Sequence, residues 1–387
     1  MPKAKPKSIV RRHAGTKSVT AHVVPEGDIR VAILTPIPGL LRELKCDPSL
    51  VLASVGLDLA IFDRPDTRIS FATGGALLDA CAVATGVAHF GLLAGARFNL
   101  AMLGILEHLL RNSVSVRAAL LQFVRHLHLN DRGAVTFLLN LGEKETSFGY
   151  GVYRYDTPGI GQIYDTALAI GYQMLRSLCG PTVKLTRVMF AHGAPQDVVP
   201  YRRYFGAPVH FDSAHSELIL SARWLERPLA GADVSRRMAA ERIALAAEQG
   251  DDGRLLERAQ RAVHGLVMAG EASSQRIAKL LGIHERVLRR RLHAIGTSIH
   301  QMIGAARYEG ACQLLRETHL QLAEIASALG YSDATAFSRA FRSWANTTPS
   351  EWRNQLESAP DDAVRFDSPG VASKSNRSRQ SPKRVPR

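Results

Sequence analysis

The sequence predicts two folded parts in one chain, an α+β N-terminal domain followed by an all-α C-terminal domain. Three observations carry this prediction. Apolar residues recur at both alternating and helical spacing up to about residue 230, and at helical spacing only after residue 253. The turn-forming run Gly250-Asp251-Asp252-Gly253 separates the two regimes. The charge divides at the same place: of a net +14, residues 1–17 carry +6, 18–253 carry −1, 254–357 carry +5 and 358–387 carry +4.

Length and composition narrow the classes further. At 387 residues the chain suggests two domains, and 46% hydrophobic with 22% charged residues excludes a disordered or fibrous protein. Cys46, Cys81, Cys179 and Cys312 lie far apart, so neither a disulfide framework nor a cysteine-rich zinc module is expected, which fits a reducing cytosol. No run of about 18 apolar residues spans a membrane, and basic Met1 to Lys17 lacks the apolar stretch of a secretory signal. A cytoplasmic protein is the expectation. The two basic ends are too polar to pack, and their role is either solubilising or an auxiliary grip on phosphates.

Each element follows from local pattern. Leu40 to Leu44 and Pro48 to Leu52 predict short helices, the second opened by proline. Ile69 to Thr85 predicts a buried helix, and Met102 to Leu110 and Ser115 to Leu127 predict amphipathic ones. Ala134 to Leu139 and Ser147 to Tyr155 predict a strand pair around the polar turn Gly142 to Glu145. Helix returns at Tyr164 to Leu178 and stops at Gly180-Pro181. Val183 to Phe190 predicts a strand and Asp197 to Phe205 a helix. Val209 to Phe211 with Leu218 to Leu220 predicts another strand pair, and Ala230 to Gly250 a helix.

The C-terminal part contains an echo. Ile277-Ala278-x-x-Leu281-Gly282 recurs 48 residues later as Ile325-Ala326-x-x-Leu329-Gly330. Ile and Leu anchor a helix, Ala lets a second helix pass close, and Gly ends the first helix in a left-handed conformation. Such a pair is a helix-turn-helix, whose second helix enters the DNA major groove. In the first unit Leu288, Leu292 and Ile295 face inward, leaving Arg286, Arg289, Arg290 and His293 outward with Arg291 at the flank. In the second, Phe337 and Phe341 face inward and Ala334, Thr335, Ser338, Arg339 and Arg342 outward. Arginine's planar fork reads guanine edges or grips phosphates, so these nine outward residues form the candidate DNA-binding set. The alternative for one such cluster is a solvated face; two units with the same layout favour DNA.

From Leu255 to Arg353 the chain resembles the DNA-binding domain of the AraC family of bacterial transcription regulators. The residues that carry this are Ile325-Ala326, Gly330-Tyr331, Asp333, Phe337-Ser338-Arg339, Phe341-Arg342 and Thr348-Pro349-Ser350-Glu351-Trp352-Arg353. The first unit adds Arg290-Arg291-Leu292, Gly296-Thr297-Ser298, Arg307, Ala311 and Leu314-Leu315. Asn346 stands where the family usually has Gly, and Asn tolerates the same left-handed turn. The resemblance implies seven helices, with a long one near Ile299 to Leu315 joining the units.

The N-terminal part lacks enzyme templates. There is no GxSxG, P-loop, HExxH or GxGxxG; Gly149-Tyr150-Gly151 and Gly159-Ile160-Gly161 read as turn or bulge glycines. His126-x-His128 falls at a helix end, a poor metal site, and His192 reads as structural. No cofactor and no metal are expected. Residues 30–230 resemble the arabinose-binding-type N-terminal domain of one AraC branch, through Gly56-Leu57, Asp63 to Ile69, Arg187 to His192, Pro195, Tyr201 to Val209 and Leu225 to Leu229. By implication it senses an effector or mediates dimerisation. Tyr150, Tyr153, Tyr155 and Tyr164 cluster near a strand-to-helix junction, and Arg202-Arg203 offers positive charge. Tyr150, Tyr153, Tyr164 and Arg202 are thus candidate effector contacts, with packing as the alternative for the tyrosines and a carboxylate-bearing or otherwise small hydrophobic molecule as the expected ligand.

The expected organisation is a basic tail (1–27), a sensing or dimerisation domain (28–230), a linker (231–253), a DNA-binding domain with two helix-turn-helix units (254–357) and a second tail (358–387). The expected function is a non-enzymatic, sequence-specific, nucleoid-associated transcription factor of the AraC type, regulating bacterial promoters in response to a small effector, with activation and repression left open. Its expected partners are double-stranded DNA, a small effector, RNA polymerase and a second copy of the chain, with no membrane. An enzyme fused to a DNA-binding module and a structural DNA-binding protein without effector response are the rival readings.

Overall fold

The computed structural model describes residues 27–248 and 252–358. Residues 1–26 and 359–387 of the tails, and Gly250 and Asp251 of the expected turn, lie outside the described residues, while Asp252 and Gly253 already open a helix.

The N-terminal domain begins with β1 (Asp28–Arg30), followed by α1 (Ile37–Glu43) and α2 (Pro48–Ser54). The Asp47 side chain caps α2 by accepting from the Ser49 N–H at 2.9 Å. β2 (Arg68–Ser70) pairs antiparallel with β1, and α3 (Phe71–Thr85) follows directly. The apolar run read as one helix from Ile69 therefore starts as a strand. Ser70 marks the change, its hydroxyl accepting from the Thr73 N–H at 3.0 Å. Next come α4 (Phe90–Ala96), α5 (Ile105–Arg111) and α6 (Val116–His126). The expected helix from Met102 breaks at Gly104, whose φ is +60°; a Cβ there would meet the Arg30 guanidinium at 3.2 Å.

A five-stranded sheet supplies the second layer: β3 (Ala134–Leu141), β4 (Glu145–Val152), β5 (Leu185–Met189), β6 (Val209–His210) and β7 (Ser216–Ser221), in the order β3-β4-β7-β5-β6. α7 (Ile160–Cys179) crosses between β4 and β5, and α8 (Val199–Phe205) between β5 and β6. The expected pairing of β6 with β7 is not formed. β6 runs parallel to β5, while β7 inserts between β4 and β5. Nor are Gly149 and Gly151 turn residues: both lie within β4, where a Cβ on Gly149 would fall 2.1 Å from the Phe137 ring of its cross-strand partner. Gly159, by contrast, does turn the chain, at φ +61° before α7.

Residues expected to form a linker pack on this domain instead. α9 (Val234–Glu248) buries Ala240 and Ala244 in the N-terminal core. Seven helices follow among the described residues: α10 (Asp252–Met268), α11 (Ser274–Leu281), α12 (Glu285–Ala294), α13 (Ile299–Glu317), α14 (Leu322–Ala328), α15 (Ala334–Ala345) and α16 (Pro349–Ser358). Two cores hold them. One gathers Ile277, Leu281, Leu288 and Leu292 with α10; the other gathers Ile325, Leu329, Phe337 and Phe341 with the far end of α13. Gly282 (φ +67°), Gly330 (φ +73°) and Asn346 (φ +57°) take the left-handed conformation the sequence calls for. Among the described residues, no single helix is long and apolar enough to cross a membrane.

Candidate DNA-reading surface and effector cavity

α12 and α15 each present one apolar and one polar face. Leu288 and Leu292, like Phe337 and Phe341, are fully buried. Arg286, Arg289, Arg290, Arg291 and His293 are exposed on α12, as are Thr335, Arg339 and Arg342 on α15. Ala334 and Ser338 are half-buried, and the Ser338 hydroxyl turns back to donate to the Ala334 carbonyl at 2.8 Å. Arg289 is held by Glu285 one turn earlier, at 2.8 Å. Both helices open with a side-chain cap. His284 Nδ1 accepts from the Arg286 N–H at 3.3 Å, and Asp333 from the Ala336 N–H at 2.7 Å. That backbone hydrogen bond, with Ser332 and the nearby Arg339, holds the Asp333 carboxyl below its ordinary range.

The N-terminal domain holds a cavity of about 70 Å³ between its sheet and α3, α6 and α7. Its wall is mostly carbon, including Leu78, Leu103, Phe123, Phe148, Leu168 and Leu218. At one end stand Asp131 and Tyr150, the phenol donating to Asp131 Oδ2 at 2.5 Å. Burial pushes the Asp131 carboxyl up to about 6, against the lowering effect of Tyr150 and of the Gly133 N–H at 2.8 Å. Of the candidate effector contacts, Tyr150 lines this cavity. Arg202 is exposed on α8, and neither Tyr153 nor Tyr164 is among the lining residues.

Tyr153, Tyr155 and Tyr164 meet the C-terminal domain. The Tyr153 ring lies 4.3 Å from that of His264 on α10, in a cluster with Met268 and Ala305. Tyr155 inserts beside Tyr308 and Trp352, with the Arg316 guanidinium 5.8 Å from its ring centre. Its N–H donates to Glu309 Oε2 on α13 at 3.0 Å. The Tyr164 oxygen accepts from Gln313 Nε2 on α13 at 2.5 Å and from the Val152 N–H at 3.3 Å. Asp131, Thr136, Glu309 and Gln313 were not flagged by the sequence.

Burial pushes the Glu309 carboxyl up to about 7. Its folded pKa lies above the unfolded value, so ionisation opposes docking and stability falls as pH rises from about 4.5 through 7. Glu309→Gln keeps an acceptor for the Tyr155 N–H without the charge. The variant is expected to be more stable above pH 7 by on the order of 1–2 kcal/mol, with the gain vanishing below pH 4.5. Urea titrations at several pH values measure it.

A second buried polar group sits beside this interface. Tyr201 donates to Asp165 Oδ2 at 2.6 Å, and His192 Nε2 stands 3.3 Å from Asp165 Oδ1, an ion-pair contact that lacks hydrogen-bond alignment. His192 Nδ1 lies 2.9 Å from the Gly193 carbonyl. Burial alone would lower the imidazole pKa, but Asp165 and the Gly193 carbonyl outweigh it and raise it above 6.5. The stability this supplies is therefore full below pH 6.5 and lost as pH rises through the raised value. Melting temperatures of the wild type and His192→Gln should differ most below pH 6.5 and converge on the alkaline side. His126 and His128 are buried with ring centres 6.1 Å apart, and among the described residues no group of three or more His, Cys, Asp or Glu side chains is placed to hold a metal ion.

Comparison with known proteins bears on both halves. Residues 46–229 match the family described as the arabinose-binding domain of AraC transcription regulators, and residues 277–355 match a helix-turn-helix domain family. The chain is similar to the HTH-type transcriptional regulator VirS of Mycobacterium tuberculosis, 28% identical over 326 residues, covering 84% of this chain and 96% of that protein. It is also similar to the ornithine utilization regulator of Pseudomonas aeruginosa, 28% identical over 342 residues, covering 86% and 97%. Among solved structures, the transcriptional regulator CdpR of Pseudomonas aeruginosa aligns with 84% of this chain and 98% of its own, at 21% identity and a TM-score of 0.42. The chain belongs to the AraC family of transcription regulators, with an arabinose-binding-type domain ahead of its helix-turn-helix DNA-binding domain.

Proposed function

We propose that this regulator reads promoter DNA through Arg286, Arg290, His293, Thr335 and Arg339. Arg289, Arg342, Ala334 and Ser338 lie at the margin of that surface. In this reading a small molecule held in the N-terminal cavity sets how the two reading helices are presented. The observation that carries it is the double use of α7. Ile163, Thr166 and Ile170 line the cavity, while Tyr164 on the same helix is hydrogen-bonded to Gln313 on α13, the helix joining the two units. An effector that binds two arrangements of α7 unequally shifts the DNA-binding domain between them.

The reading is non-enzymatic and cytoplasmic. Burial pushes the Cys81 thiol up to about 12 and Cys179 up to about 11, which suits inert core residues rather than nucleophiles. Contact with RNA polymerase and pairing of two copies on repeated half-sites belong to it as well, supported by the kind of regulator this chain is. Sequencing the DNA fragments bound by the full chain, then placing the recovered promoter before a reporter, tests the whole. Effector should change reporter output, and Tyr164→Phe should reduce that change while leaving effector-free DNA affinity within about threefold. An output indifferent to every effector tried, and to Tyr164→Phe, would leave a DNA-binding protein without a sensor.

A further inference from the structure

We infer that the cavity takes a small, uncharged, apolar molecule bearing a single hydroxyl, and neither a sugar nor a carboxylate. The inference rests on the sensor reading above and assigns the chemistry of that site. Five polar side chains line the cavity: Asn130, Asp131, Thr136, Tyr150 and Thr166. Most of their capacity is already used. Asn130 accepts from Arg30 at 2.6 Å and donates to the Leu103 carbonyl at 3.3 Å. The Thr166 hydroxyl lies 2.8 Å from the Gln162 carbonyl and 3.1 Å from that of Gly91. Asp131 is occupied at one oxygen by the Gly133 N–H and at the other by Tyr150.

What remains is the oxygen of Tyr150, free to accept because its proton goes to Asp131, and the hydroxyl of Thr136. The latter is buried with no hydrogen-bond partner. A buried unpaired hydroxyl is costly, and its presence on a cavity wall points to a missing partner. Thr136 and Tyr150 are directly opposed across β3 and β4, so both project to the same face of the sheet. Together they offer one acceptor and one group able to donate, a capacity that matches a single ligand hydroxyl.

The same accounting excludes the alternatives. A sugar presents a hydroxyl on nearly every carbon, and all but one would face Leu, Ile and Phe side chains with no partner. A carboxylate would enter beside Asp131, and among the described residues no Lys, Arg or His lines the cavity to neutralise it. The volume of about 70 Å³ is roughly half that of an apolar cavity (~150 Å³) that admits benzene. The ligand is therefore about two or three carbons in size.

Four probes of known structure test this on the full chain: ethanol, acetate, glycerol and L-arabinose, with dissociation constants from ligand-observed NMR. Ethanol is expected to bind in the millimolar range and to be preferred at least tenfold over the other three. Thr136→Val should weaken ethanol roughly five- to tenfold while leaving the melting temperature equal or higher, because an unpaired hydroxyl is removed. Ala167→Phe, which fills the cavity, should abolish binding. Tighter binding of acetate or a polyol that Ala167→Phe removes would overturn the ligand class and leave the sensor standing. Absence of ethanol binding, or ethanol binding indifferent to both variants, would also overturn the class. The sensor reading falls separately, if the filled cavity leaves reporter output and its effector response unchanged.

Discussion

Phe341→Ala is expected to destabilise the C-terminal domain by about 3–5 kcal/mol, the usual cost of deleting a fully buried ring. Phe341 has no exposure and holds α15 against two other helices, since its ring centre lies 5.8 Å from Tyr308 on α13 and 6.1 Å from Trp352 on α16. Phe337 meets it edge-on at 5.9 Å. The hole left behind would be bounded by helices whose ends are fixed by caps, so collapse into it is limited. A domain of this size has roughly 5–15 kcal/mol in hand, and losing a third or more should populate an unfolded second unit. Urea denaturation followed by fluorescence reads it, because Trp344 and Trp352 belong to this unit and Trp224 to the N-terminal core. The C-terminal transition should move to lower urea with the N-terminal one in place. A loss under about 1 kcal/mol would mean that Phe341 does not organise the unit. DNA binding should fall with the folded fraction, without change in base preference.

The same residues show why this half was legible in the sequence. A helix-turn-helix is made by neighbours in sequence: Ile325 and Ala326 anchor one helix, Gly330 turns the chain, and Phe337 and Phe341 recur one turn apart. Every signal lies within about 20 residues. The sensor half depends on partners far apart in the chain. β6 and β7 are near neighbours with no pairing between them, because β7 is claimed by β4 some 70 residues earlier. Gly149 looks like a turn residue until the Phe137 ring across the strand pair takes up its missing side chain.

The four tyrosines illustrate a deeper limit. Each is an aromatic with a polar tip near the passage from β4 to α7, and nothing local distinguishes a ring that lines a cavity from one that docks a domain. Tyr150 faces the cavity, yet Tyr153 and Tyr155 pack on helices more than 100 residues away in sequence. Thr136 and Asp131 do not stand out in the sequence for the complementary reason. A single threonine inside an apolar strand is ordinary, and only the burial of its hydroxyl without a partner gives it meaning. One usable signal existed: Thr136 shares the inward face of β3 with Ala134 and Leu138, a face on which an isolated polar residue calls for a partner.

Arg290→Ala and Arg339→Ala are each expected to weaken binding to the cognate operator by about 1–3 kcal/mol, roughly five- to 150-fold. Both guanidinium groups are exposed, one on each reading helix, opposite Leu288 and Leu292 in α12 and Phe337 and Phe341 in α15. In the proposed reading both side chains meet base edges as their helices enter the groove, and the loss should be confined to one or two base positions. Arg289 differs although it neighbours Arg290. Its charge is already partly matched by Glu285, so Arg289→Ala should cost less, about threefold. Arg342, exposed further along α15, is proposed to grip phosphate. Arg342→Ala should weaken all sequences alike and lower the dependence of log K on log salt by about 1. Anisotropy titrations against the operator and its single-base variants, between 50 and 200 mM salt as is usual for such slopes, separate these outcomes. A uniform loss across all variants for Arg339→Ala would place that side chain on the backbone and leave base reading in the second unit to Thr335.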